Sequence, residues 1–452
     1  MGPISNSEIR RYGLLALPLA VTGLPLYLHA PDYYVTERGI SLSLIGAVLL
    51  MARLIDAFQD PLIGALSDRF SSMRRSLMLS GVAGLAIGML ALFIPPQSAG
   101  IIWFTFWVIV ATSCYSLVTI NLNAIGGIWS DSHFQRTRIS STRERFALLG
   151  VSLGVLIPGL LAPVYGKAVA FSVLAFGLAG ILAWSAWLFN RWARNKPSLF
   201  DRISKEKITW NSLGLPTDKR VRSLVAITLV GSLASSLPAV LFLFFVRDRL
   251  QAEEWAWLFL LIYFISALLG IPFWRDASKR WGKIRTWCVS IAIACLSFIG
   301  AIFVGEGDLI LYGVVCLATG FALGGDLIFP ASLMADYFGD SSEHKSKAGS
   351  GYAWLSFIQK AALGLAAGIA FTMLGALGFS SGSDNSNRAL LGLLVLYAVV
   401  PLVLKLTGAF MLWGWRNYLE DEENNEKERT TNSDRALTDR PDSQWMHKPY
   451  EN

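Results

Sequence analysis

Apolar runs of about twenty residues recur from residue 12 to residue 415, each ended by a short polar or charged break. One helical crossing of a bilayer takes about 20 consecutive apolar residues. In lipid, every backbone polar group must be satisfied inside the spanning segment, so such runs form helices. The chain is therefore predicted to be an all-α membrane protein. Its runs lie near 12–30, 41–66, 77–95, 100–128, 146–166, 168–190, 223–246, 254–274, 286–304, 308–334, 351–378 and 388–415, which makes twelve transmembrane helices. Only 16% of the residues are charged, against about 25% in a soluble domain.

Loop charges set the expected orientation. Arg69, Arg74 and Arg75 follow the second run, and Arg136, Arg138, Arg143 and Arg145 follow the fourth. The stretch between the sixth and seventh runs is strongly basic, and Arg275, Lys279, Arg280, Lys283 and Arg285 follow the eighth. The loops "PPQSAG" and "GEGD" on the other side hold no basic residue. Both termini are thus expected in the cytoplasm of a plasma (inner) membrane protein. These loops account for the net charge of +7 without a nucleic-acid partner. The first run is expected to insert the chain without a cleaved signal.

The basic midpoint stretch divides the spans six and six: an N-terminal bundle over 1–190, a central loop over 191–222, a C-terminal bundle over 223–415, and a polar, disordered tail over 416–452. "SDRFSSMRRS" after span 2 is echoed by "RDASKRWGKIR" after span 8, as two parallel repeats about a membrane-normal axis would leave. Gly84 and Gly88, Gly150 and Gly154, and Gly364 and Gly368 have the spacing of close helix contacts. Pro18 and Pro25 are expected to open span 1 locally. The four cysteines and four histidines have no metal-ligand spacing, and no nucleophile–base set or phosphate loop indicates an enzyme.

"MARLIDAFQDPLIGALSDRF" breaks the apolar pattern, because Arg53, Asp56 and Asp60 fall inside span 2. Asp56 and Asp60 share a helix face about 6 Å apart along the axis, with Arg53 near the same face. A charge at the bilayer centre costs about 2.5–3.5 kcal/mol even on insertion scales. Two readings follow: a structural Arg53–Asp56 pair with Asp60 at the rim, or a paired-acid site that binds and releases H+ or Na+.

"ARLIDAFQDPLIG" resembles the helix 2 segment of the glycoside–pentoside–hexuronide:cation symporters, the melibiose carrier group of the major facilitators. The similarity runs over almost the whole chain, through "GALSDRFSSMRR", "STRERFALLG", "MADYFGD" and "YAWLSFIQKAALG". The resemblance implies twelve helices in two six-helix bundles, cation binding at Asp56 and Asp60, and a solute or coupling role for Arg53, Arg143, Tyr352 and Lys360. Lys360 alternatively snorkels to an interface. Ala20 falls where the melibiose carriers have a third acid, while Thr119 and Asn123 fall on their span 4 acid and tryptophan; these two polar side chains share a face that can hydrogen-bond a solute. Asp68 with Arg69 is expected to cap span 2 and clasp a neighbouring helix as a switch. Glu144 pairs with Arg145 or helps close a cytoplasmic gate. Asp326 is a second buried acid or a helix cap.

The implied function is symport of a small polar solute of the sugar or glycoside class with H+ or Na+, by a chain working as a monomer in the bilayer and needing no cofactor beyond that ion. An amphipathic, lysolipid-type solute is one alternative; a membrane receptor that transports nothing is another.

Overall fold

The computed structural model describes residues 4–24, 26, 30–36, 38–199, 218–339, 342–379, 385–417 and 419. The central loop from 200 to 217, the tail beyond 419 and Pro25 lie outside the described residues. The first half of the chain forms α1 (Asn6–Gly13), α2 (Ala16–Leu24), α3 (Ala30–Thr36), α4 (Leu42–Arg69), α5 (Arg74–Phe93), α6 (Ile101–Ile128), α7 (His133–Tyr165) and α8 (Lys167–Arg194). The second half forms α9 (Lys219–Phe244), α10 (Ala256–Trp281), α11 (Lys283–Ile302), α12 (Leu309–Gly339), α13 (Ser342–Ser346), α14 (Ala348–Ala376), α15 (Asn387–Leu394) and α16 (Val400–Gly414). Among the described residues, nine helices are long and apolar enough to cross a membrane. The helices α4 and α7, of 28 and 33 residues, carry the charged motifs.

Local chemistry explains where several elements end. The helix at the N-terminus breaks between α1 and α2, just before Pro18, whose ring clashes with a carbonyl four residues back. Gly166 and Gly282 take φ of 81° and 79° at the α7–α8 and α10–α11 turns, a conformation open to glycine at little cost. One expected boundary is corrected: Arg136 to Arg145 do not form a loop but the first turns of α7. Their pattern buries Arg136, Thr137, Ser140 and Arg143 and exposes Arg145, so the helix continues past the apolar run with one face packed.

In the first half α2 packs on α7, and α5 on α6 and α8; in the second, α9 packs on α14 and α16, and α12 on α10 and α11. The halves meet through α4 on α14, α6 on α12 and α14, and α7 on α10 and α12. The α4–α14 approach is close, since a Cβ on Gly64 would stand 2.5 Å from the Ala353 Cβ. Gly84 and Gly88 pack against α6, and Gly150 and Gly154 against α2. The expectation fails for Gly364 and Gly368, whose missing side chains face open space.

Candidate functional site

Three helices, α4, α6 and α14, bring polar side chains together where the halves meet. Asp56 and Asp60 stand one turn apart on α4, 2% and 0% exposed, facing Lys360 of α14. The Lys360 Nζ is 2.9 Å from Asp56 Oδ2 and 2.8 Å from Asp60 Oδ2, and donates to Asp60 Oδ1 at 2.9 Å. It also donates to Ser116 Oγ of α6 at 2.7 Å. Ser116 in turn donates to Asp56 Oδ1 at 2.8 Å, an oxygen that also accepts from Gln59 Nε2 at 2.9 Å. Ser113 Oγ, one turn along α6, donates to Gln59 Oε1 at 2.7 Å. Among the described residues this cluster sets two carboxylates against one ammonium. Its formal charge is −1 with both acids ionised, so a proton or one monovalent cation makes it neutral.

A second layer closes the halves at the end that carries the basic loops. Asp68, on the last turn of α4, accepts from Gly349 N, Ser350 N and Ser350 Oγ of α14 at 2.7–2.8 Å. Arg74 Nη2 holds the same carboxylate at 2.6 Å and its Nε donates to Ser67 Oγ. Asp336 of α12 is ringed by Lys283 Nζ at 2.5 Å, His133 Nδ1 at 2.9 Å and Arg136 Nη1 at 3.5 Å. Arg136 also donates to the Asp336 carbonyl at 3.0 Å, and Thr137 meets Ser332 at 2.8 Å.

The structure thus brings Asp56, Asp60 and Lys360 into one cluster. The Arg53 side chain lies outside the described part of the structure. Thr119 Oγ1 is buried with no hydrogen-bond partner, and Asn123 is half-buried; neither joins the cluster among the described residues. Tyr352 is buried in the closed end, where its hydroxyl donates to the Ala331 carbonyl at 3.0 Å. Arg143 is 6% exposed, pairs with Glu144, and has Tyr12 and Tyr352 as electrostatic neighbours.

One expected pairing, Glu144 with Arg145, is corrected, and Asp68, expected with Arg69 to clasp a neighbouring helix, meets α14 beside a different arginine. Asp68 is held by Arg74, not Arg69, because the chain turns after Phe70 and brings Arg74 back under the end of α4; Arg69 is exposed, 5.7 Å from the Phe70 ring. Glu144 pairs with Arg143 on the buried side of α7 and not with the exposed Arg145. Ser116, Ser113 and Gln59 escaped the sequence reading. Their signal was present: hydroxyls three apart on a membrane-spanning helix, and an amide three residues after Asp56. Asp326 is a half-buried ion-paired acid inside α12 and not a helix cap.

Comparison with known proteins fits this geometry to a group. The model of the family described as MFS/sugar transport protein matches residues 11–416. An uncharacterized symporter YjmB of Bacillus subtilis is 22% identical, covering 83% of this chain and 84% of the relative. The isoprimeverose transporter of Lactiplantibacillus pentosus is 24% identical, covering 82% and 80%. The sodium-dependent lysophosphatidylcholine symporter 1 of Gallus gallus is 22% identical, covering 91% and 86%. Among solved structures, an outward-facing bacterial homologue of the iron transporter ferroportin superposes with a TM-score of 0.69 at 15% identity, covering 90% and 99%, which shows the shared major facilitator fold.

Proposed function

Because this chain belongs to the MFS/sugar transport protein family of membrane transporters, we propose that it couples uptake of a small polar, sugar-like solute to H+ or Na+ by alternating access. The observation that carries the reading is the surplus negative charge between the halves among the described residues. Two buried carboxylates on α4 share one ammonium from α14, and intramembrane ionisable groups of this kind mark ion pathways.

The Lys360 ammonium stands among oxygens that a coupling cation would use: both acids and the Ser116 hydroxyl. A sodium ion takes this place by pushing Lys360 aside, whereas a proton leaves Lys360 on the remaining carboxylate. Either event changes the contact between α4 and α14, two of the helices through which the halves touch. Ion binding therefore biases the rocking equilibrium by whatever free energy separates its affinities for the two states. With the basic loops in the cytoplasm, the closed layer at Asp68 and Asp336 is the inner gate.

A sugar-like solute is supported by the family description and the isoprimeverose relative. A lysolipid-type solute is the second reading, supported by a relative that aligns with 91% of the chain. Proteoliposomes given isoprimeverose or lysophosphatidylcholine under an imposed Na+ or pH gradient separate the two. Concentrative isoprimeverose uptake driven by one gradient is expected. Uptake that follows neither gradient, or that survives Asp56→Asn with Asp60→Asn, overturns the coupling reading.

A further inference from the structure

A second intramembrane ion pair lies wholly within the second half of the chain. Lys405 of α16 pairs with Asp326 of α12 and donates to Ser235 Oγ of α9 at 3.0 Å. Trp287 Nε1 of α11 donates to the other oxygen, Asp326 Oδ1, at 2.9 Å. All four side chains belong to one half, so rocking of the halves leaves the group intact. That separates it from Lys360, whose bonds cross between them.

Three features show what this pair presents. The Lys405 side chain is 3% exposed and that of Asp326 is 18% exposed, so the carboxylate is the reachable member. A carboxylate turned to acyl chains costs roughly 3 kcal/mol, which places its accessible edge toward polar space inside the protein. Its depth also fits: residues 326–339 of α12 measure about 20 Å, as do 56–69 of α4, and 116–128 of α6 and 348–360 of α14 are about 18 Å, all from the basic-loop end. Asp326 therefore lies level with the Asp56–Lys360 cluster, on a helix that packs against α6 and α7 of the first half. In this architecture the solute binds near the midplane between the halves.

We propose that Asp326 is the second half's solute contact, accepting a hydrogen bond from a hydroxyl of a neutral polyhydroxylated solute. This rests on the sugar-like reading above. Lys405 cancels the carboxylate charge, so the group favours a neutral donor over a second cation. Trp287 and Lys405 each fix one oxygen and hold the acceptor in one orientation. Lys405 itself is a positioning residue.

The test uses the full chain in nanodiscs, with isoprimeverose as the probe. Asp326→Cys is combined with Lys405→Met, which leaves no ammonium unpaired, and labelling by a charged methanethiosulfonate is read by peptide mass spectrometry. Position 326 is expected to label, and saturating isoprimeverose to slow labelling at least fivefold. Asp326→Glu keeps the charge and the lysine partner; it is expected to weaken isoprimeverose binding at least tenfold while stabilisation by Na+ or by low pH stays as in the parent. Absence of labelling overturns the proposal, and so does wild-type sugar affinity in Asp326→Glu. A parent protein that binds no isoprimeverose defeats the sugar-like reading itself, and the inference with it. The sugar-free labelling arm tells those failures apart, because it reports access to position 326 alone.

Discussion

The two layers that join the halves are built on opposite plans. At the basic-loop end each carboxylate is oversupplied: Asp336 has Lys283, His133 and Arg136 around it, and Asp68 has Arg74 plus two backbone amides and a hydroxyl. At mid-depth the balance reverses, with Asp56 and Asp60 sharing Lys360. A layer with donors to spare closes without help. A layer short of positive charge among the described residues leaves a carboxylate for the proposed coupling cation to answer. The first is suited to a gate and the second to a coupling site.

Removing the surplus charge tests that contrast most severely. Asp60→Asn leaves one carboxylate for one ammonium, so the middle layer becomes neutral without an ion. Concentrative uptake in proteoliposomes is expected to fall at least a hundredfold, while exchange between equal solute pools persists. Retained accumulation would show that the second acid is not needed for coupling. The gate comes next. Asp336→Asn leaves the buried Arg136 guanidinium without its carboxylate, and breaking a buried pair costs about 3–5 kcal/mol. That exceeds about 2.7 kcal/mol, the size of a hundredfold population change, so the closed end should open. A Thr137→Cys and Ser332→Cys pair, placed where the hydroxyls are now 2.8 Å apart, should lose most of its disulfide yield. An unchanged yield would mean that Asp68 alone holds the gate. Ser116→Ala is milder. It removes one hydroxyl that donates to Asp56 and accepts from Lys360, worth about 1 kcal/mol, so a threefold to tenfold weaker cation response is expected by thermal shift, with the gate crosslink unaffected.

The helical plan was visible in the sequence because lipid leaves few options: an apolar run of the right length is a crossing helix. The paired acids stood out for the same reason, since an ionised side chain is costly there. What one sequence cannot display is which distant group answers a charge. Lys360 is 300 residues from Asp60 along the chain and reaches it only because α4 and α14 cross at Gly64. Ser116 looks like any hydroxyl in an apolar helix, which normally bonds its own backbone, until Asp56 is set beside it. Lys405 was read as part of an apolar run because its partner comes from another helix. The start of α7 was missed because a helix that leaves the membrane keeps its periodicity while losing its apolar composition.

The finest test concerns the two arginines that flank the turn after α4. Sequence adjacency pairs Asp68 with Arg69, whereas the fold gives it Arg74, 2% exposed and bonded to Asp68 and Ser67. Arg69→Ala removes an exposed side chain resting near an aromatic ring, and surface substitutions of that kind stay within about 0.5 kcal/mol. Arg74→Ala strips the buried carboxylate of its charge partner at the point where it also accepts the Gly349 and Ser350 amides. Thermal unfolding of the pair of variants, measured side by side in detergent, is expected to leave the first near the parent and lower the second by several degrees. Equal shifts would mean that the gate carboxylate is held by the α14 amides alone, and that the closed layer depends less on surplus positive charge than its geometry implies.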